Sequence, residues 1–264
     1  MGILKAHTLS VAYLKAFATA RRNKETRFWH AWAVDRAKCF RASLKRLCAE
    51  GGYYTADSGI DAALFMQQEN AFGDLLPRLT AGDTAALLEI AEHLWLLKLR
   101  NTAILDSTRH RLLLLREGRA IPLGERVSAL INASDLPVPL VTSDDPVLLF
   151  GDGLPSVQCF VLPISPDRIL VSAPKSDFRM VSSYASTADV ELLNRLQCRQ
   201  ARRYVIMRDE PIDPTAYQAA MSPTPRPAAS GAALTNGRGS IIINVVSTNP
   251  SGPDSLPSFL QGQA

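Results

Sequence analysis

Apolar residues recur at three- and four-residue steps through the middle of the chain and gather in short runs on either side of it. From Asp57 to Leu79 the repeat runs through Ile60, Leu64, Phe65, Phe72, Leu75 and Leu76, with Asp57 or Ser58 placed to cap the helix. Pro77 should end or kink it. Asp83 or Thr84 can cap the next helix, which carries Leu87, Leu88, Ile90, Ala91, Leu94, Trp95, Leu97 and Leu99. Apolar residues lie almost all round that helix, so a central, buried position is expected. A third helix over residues 104–117 closes at Gly118, with Arg116 favourably placed in its last turn.

The flanking regions read differently. Val11, Leu14 and Phe17 predict one or two helical turns over residues 9–18, and "RFWHAWAV" at 27–34 alternates like a strand covered on both faces. After residue 137 short apolar runs predict strands at 138–141, 147–150, 158–162 and 168–171, broken by Asp-Pro, Gly-Asp-Gly and Ser-Pro-Asp turns. A last helix starts at Ser186 or Thr187, buries Val190, Leu193, Leu196 and Ala201, and leads into the strand "RYVIM" at 203–207. The expected fold is α+β: a helical middle section packed on a mostly antiparallel sheet, within a single domain spanning residues 1–210. Residues 211–264 are rich in Pro, Ser, Gly and Asn. Such a composition predicts a mostly disordered tail, in which "IIINVV" at 241–246 is the exception that could add as an edge strand.

Composition is that of an ordinary globular protein, but charge is unevenly spread. The first fifty residues hold eleven Lys and Arg against three acids, so they carry +8 and the remainder −4 of a total of +4. Residues 21–46 interleave this charge with Phe28, Trp29, Trp32 and Phe40. Basic plus aromatic residues are what single-stranded nucleic acid binding uses, by phosphate neutralisation and base stacking. A solvated face with the tryptophans in the core explains the same pattern. The partner expectation is therefore a nucleic acid or another polyanion at 21–46, and no membrane, since no apolar run approaches the ~20 residues a span requires. The four cysteines form no Cys-x-x-Cys pair and no signal peptide is evident, so free thiols and a cytoplasmic location are expected.

The stretch "LVTSDDPVLLF", residues 140–150, poses the chemical question. Neighbouring side chains on a strand point to opposite faces, so Asp144 and Asp145 cannot both aim at one reacting atom if the strand continues through them. Pro146 keeps Asp145 out of the helical region, and Ser143 or Asp144 can cap a turn. The same insert can instead supply Asp144 as a metal ligand or general base, with its pKa set by Arg100 or His7. Glu69 and Glu89 lie on consecutive helices; with Asp144 they would suit a divalent cation such as magnesium for phosphodiester hydrolysis. The histidines show no zinc spacing, and there is no phosphate loop, dinucleotide fingerprint or nucleophile elbow.

Taken in order, several short motifs resemble a bacterial and fungal family known as domain of unknown function forty-two thirty-eight. They are His7 with Tyr13, Leu14 and Phe17; Tyr53-Tyr54; Gln68-Glu69; Arg100-Asn101-Thr102; Thr142 to Val147; Leu162-Pro163-Ile164-Ser165-Pro166; and "NRLQCRQARRYVIM". The resemblance spans residues 7–210. Ser10 stands where the family usually has Pro, and Asp145 where it usually has Asn. The resemblance implies a site where His7, Glu69, Arg100 and Asp144 converge, with Asp145 serving the turn. It brings no activity with it. The sequence leans to a hydrolase-like site for a phosphate-containing or nucleic-acid substrate; the alternatives are a non-catalytic nucleic-acid-binding or regulatory module using the basic N-terminal face, and a structural or interaction protein.

Overall fold

The computed structural model describes residues 5–7, 9–20, 27–43, 47, 49–51, 59–101, 123–150, 159–175, 182–209, 230–236, 239–245 and 257–260. Within them the fold is α+β. Strands β1 (Lys5–His7) and β5 (Ala49–Gly51) pair with each other, while α1 (Val11–Lys15) and β2 (Thr19–Ala20) lead into β3 (Arg27–Ala33) and β4 (Lys38–Ala42). Ser10 caps α1 by accepting the Tyr13 N–H, which a Pro at that position could not do through its side chain. The helical middle is α2 (Gly59–Thr80) followed by α3 (Thr84–Asn101). Pro77 lies inside α2, and the helix stops three residues later, where Gly82 takes φ +84°. Asp83 Oδ1 then accepts the Ala85 N–H at 2.8 Å and opens α3.

Two antiparallel sheets follow from the strand runs. One has the order β6-β10-β9-β8, from β6 (Arg126–Asn132), β8 (Leu148–Phe150), β9 (Cys159–Ser165) and β10 (Arg168–Pro174). In the other, β3 pairs with β2, β4 and β11 (Tyr204–Met207), and β11 pairs with β7 (Thr142–Ser143). Helix α4 (Thr187–Gln200) joins the two regions. The sequence expectations hold for β3, β8 to β11 and α4, but residues 138–141 are not a strand. Their Leu140 N–H donates to Pro166 O and their Val141 N–H to the Asn194 side chain. The strand that the periodicity missed is β6, an edge strand whose mostly half-buried residues give no clean alternation.

Alternation explains the layering. Val147, Leu149, Phe160, Leu162, Ile164 and Leu170 share a cluster with α1, α2, α3 and Trp29 of β3. The residues between them, Leu148, Phe150, Val161, Ile169 and Val171, form a second cluster with Val190, Leu193 and Leu196 of α4. The first sheet is thus sandwiched between the helical middle and α4. The far end of α4 supplies Cys198 and Ala201 to a third cluster with Trp32, Val205 and Met207. Residues 94–98 are buried at every position, as the all-round apolar pattern of α3 predicts, although Leu88 one to two turns earlier is exposed. No helix among the described residues is long and apolar enough to cross a membrane.

Beyond residue 210 the structure describes a hairpin, β12 (Ser230–Asn236) with β13 (Gly239–Val245), so the Ile-rich run pairs with its own neighbour. It also describes a single 3-10 turn, Ser258–Leu260, whose Phe259 and Leu260 enter the second cluster. The expected helix over 104–117 lies outside the described residues.

Candidate functional site

The stretch at 142–147 is where the chain passes from one sheet to the other. Thr142 and Ser143 pair with Ile206 and Val205 of β11; five residues later Leu148 pairs with Val161 of β9. Between them lie Asp144, Asp145 and Pro146, in a bend that must be buried because α4 crosses it. A buried bend has no strand ladder to pair its backbone, so other groups must do so.

Helix α4 provides them from one face. Asn194, Gln197 and Gln200 follow at three-residue steps, which places their amides along one side of the helix. Asn194 accepts the Val141 N–H at 2.9 Å and donates to Pro139 O at 2.9 Å. Gln197 donates to Pro146 O at 2.6 Å, and its Oε1 takes the Ser143 hydroxyl at 2.7 Å. That hydroxyl also faces Asp145 O at 2.9 Å, so one proton serves two acceptors. Gln200 donates to Asp145 O and to Val147 O. From the opposite side, the Tyr13 hydroxyl lies 2.5 Å from Thr142 Oγ1 and donates to Pro163 O at 2.7 Å.

Within this bend the two aspartates take different partners. Asp144 Oδ1 and Oδ2 accept the backbone N–H groups of Arg202 and Arg203 at 2.8 and 2.9 Å. It therefore clamps the corner where α4 turns into β11. Asp145 faces α3, where Lys98 Nζ lies 3.0 Å from both carboxylate oxygens and 3.4 Å from Gln200 Oε1. All three charged side chains are buried. Burial pushes the Asp144 carboxyl up to about 6, against the pull of its two N–H donors. Burial also raises Asp145, opposed by the Lys98 ammonium.

Asp144 thus meets backbone donors, and among the described residues its pKa is set by burial, by the Arg202 and Arg203 N–H groups and by the neighbouring Asp145 charge. Asp145 does more than shape a turn, since it carries the buried ion pair. His7 ends β1 opposite Ala49, Glu69 lies within α2, and Arg100 is the penultimate residue of α3. Their side chains lie outside the described residues. Glu89 is exposed and binds Arg78 at 3.2–3.3 Å. Among the described residues no group of three or more His, Cys, Asp or Glu could hold a metal ion. Cys198 is a buried core residue, and burial pushes its thiol up to about 12.

Sequence reasoning passed over Lys98, Asn194, Gln197 and Gln200. Two signals could have found them: a lone cation inside the apolar run "LWLLKL", and three amides at helical spacing in "NRLQCRQ". Neither says what it pairs with.

A basic surface adjoins the Asp144 clamp. Arg203 O accepts the Val34 N–H at 2.9 Å, which sets the Arg202 and Arg203 corner beside the β3–β4 turn. Arg36, Lys38, Arg41, Arg203 and Arg208 are exposed, and Arg202 is half-buried. Register places Lys38 opposite Ala33 and Arg41 opposite His30, one strand away from Tyr204 and Met207. Trp29 and Trp32 are buried at 2 and 3 % exposure, so the core explains them, as the alternation of β3 requires. Residues 21–26 and 44–46 lie outside the described set.

Residues 123–211 match the model of a family described as "Protein of unknown function (DUF4238)". The match opens just before β6, closes just after β11, and so contains the crossover, α4 and the Arg202–Arg203 corner. No curated protein and no solved structure matches the chain.

Proposed function

We propose that this is a cytoplasmic, non-catalytic binding module that takes a polyanion, nucleic acid foremost, on its basic face. The residues expected to carry the charge are 21–46, of which Arg36, Lys38 and Arg41 are described and exposed, together with Arg202, Arg203 and Arg208. One observation carries the reading: a buried carboxylate spends both oxygens on fixing the backbone of two consecutive arginines next to the β3–β4 turn, beyond which Lys38 is exposed. A fixed backbone lowers the ordering cost of a charged contact, and each phosphate neutralised releases condensed counterions. Residues 142–147 are then the joint that holds this face, and the aromatic side chains act within the core.

The test is retention on heparin and on a labelled single-stranded oligonucleotide across a salt series. The logarithm of affinity should fall linearly with the logarithm of salt, and the slope should shrink by about 0.7 for each phosphate contact removed. Lys38→Glu, Arg41→Glu and Arg203→Glu should each weaken binding irrespective of oligonucleotide sequence. Retention that ignores salt, or that survives all three reversals, would end this reading.

A hydrolase acting on a phosphate-containing substrate is the second reading. It is favoured by the Asp144 carboxyl, which burial brings to about 6, near where a general acid or base works. It needs His7, Glu69 and Arg100 to converge on Asp144, with a divalent metal as the candidate cofactor. A thermal-shift screen with magnesium, manganese and nucleotides separates the two: a shift present in wild type and lost in Asp144→Asn supports it. No shift from any metal or nucleotide removes it.

A further inference from the structure

The turn at 257–260 meets the body of the protein far from its neighbours in sequence. Ser258 N–H donates to Asp189 Oδ1, and the Ser258 hydroxyl donates to Asp189 Oδ2 at 2.6 Å. Phe259 is fully buried and Leu260 nearly so, in the cluster that holds Ile131, Ile169, Val190 and Leu193. The turn is closed from within, by the Leu260 N–H on Pro257 O at 2.8 Å. It adds no strand to either sheet. Among the described residues its hydrogen bonds to the rest of the chain end on one carboxylate.

Asp189 has a separate task. Together with Ser186 it forms the reciprocal cap of α4: Ser186 N–H and hydroxyl donate to Asp189 Oδ2 at 2.8 and 2.7 Å, and Asp189 N–H donates back to Ser186 at 3.2 Å. The cap does not depend on Ser258. A carboxylate has about four acceptor sites. Oδ2 takes both cap donors and shares with the Ser258 hydroxyl, while Oδ1 takes the Ser258 N–H. When the turn leaves, the receiving carboxylate therefore stays aimed and the helix stays capped.

We infer that the apolar groove between α4 and the four-stranded sheet is a peptide-docking site, occupied reversibly by the chain's own segment 257–260. The recognised chemistry is a small residue offering a backbone N–H and a hydroxyl to Asp189, followed by two large apolar side chains. Among the described residues these four make up the whole of the docked turn, and the sequence before them is rich in Pro, Ser and Gly. Two buried side chains and two charge-assisted hydrogen bonds are set against the ordering of a short segment, a balance that lets the turn open without the sheet.

The test uses the full-length chain in two measurements. In native-state hydrogen exchange of the wild type, the Ser258 and Leu260 amides should exchange at least tenfold faster than those of Leu170 and Val161 in the central strands. Exchange of all four at one common rate would mean that the turn opens only with global unfolding, and would overturn the inference. In the second measurement a labelled synthetic peptide of residues 255–264 is titrated onto wild type and onto the Phe259→Ala chain, whose own segment no longer fills the groove. The peptide should bind the variant at least tenfold more tightly, and its Phe→Ala counterpart should not bind. Absence of binding to a folded Phe259→Ala chain would also overturn the inference. Should that variant fail to fold, Ser258→Glu, which sets a second negative charge against Asp189 and leaves the apolar residues intact, must vacate the groove for the peptide or the inference falls.

Discussion

The carboxyl-terminal half of α4 grips residues 139–147 through Asn194, Gln197 and Gln200, whereas its amino-terminal end holds residues 257–260 through Asp189. The first grip is polar, buried and shared with Lys98 of α3 and the N–H groups of Arg202 and Arg203. Removing any member strands others away from water. The second is apolar with one polar anchor, the buried Asp189 carboxylate, which keeps its Ser186 donors when the turn is lost, so that loss exposes two side chains but leaves no charge without a donor. Polar content in a core thus makes a segment harder to release than apolar content does, because the penalty for a missing partner exceeds the gain from a made one.

The largest expected effect tests that asymmetry at the buried ion pair. Lys98→Met leaves Asp145 charged and unpaired, and should cost about 3–5 kcal/mol of unfolding free energy in a urea titration. Adding Asp145→Asn to the same chain should recover much of that loss, since the stranded charge is then gone. A single-variant loss below about 1 kcal/mol would place the pair with surface ion pairs and break the comparison.

Next in size is a pH dependence of opposite sign at the two ends. The folded-state pKa of Asp144 is about 6, above its ordinary 3.8, so the folded chain holds this proton more tightly than the unfolded chain. Its stabilising contribution is complete below pH ~4 and is lost as pH rises through ~6, a change of about 3 kcal/mol at most. Asp145 adds a contribution of the same sign. At Asp189 burial pushes the carboxyl up, but Ser258 and Ser186 donors outweigh it and hold the group below its ordinary value. Its contribution is present above that value and is lost as pH falls. Denaturation midpoints from pH 3 to 7 should show Asp144→Asn flattening the fall between ~4 and ~6, while Asp189→Asn acts at the acid end. Both variants acting in one window would erase the distinction.

The smallest effect sharpens the amino-terminal side. Ser186→Ala removes the cap of α4 and should cost about 1 kcal/mol, read from the thermal midpoint. Because Asp189 keeps its Ser258 contacts, exchange at Ser258 should change less than exchange at Asp189 itself. An equal change at both would mean that cap and dock are one unit.

Much of the architecture was legible. Periodicity placed α2, α3 and α4, the strands that follow Pro146, and the two buried faces of β3 in which Trp29 and Trp32 sit. Strand alternation predicts that Asp144 and Asp145 part, but the structure puts both in a bend beyond β7, where their separate partners part them. The edge strand β6 escaped, since half-burial blurs alternation. Within the tail, composition averaged over some fifty residues concealed Phe259 and Leu260, two apolar residues that found a groove.

Sequence by itself therefore determined which segments are helix or strand and which faces are apolar. These are local properties, set by backbone geometry and by the repeat of side chains along it. Only the tertiary structure decided that Asp145 meets a lysine 47 residues earlier in the chain and that Asp144 meets N–H groups 58 and 59 residues later. Buried polar groups must be paired, but the pairing partner is chosen by how layers stack, and no local pattern encodes that choice.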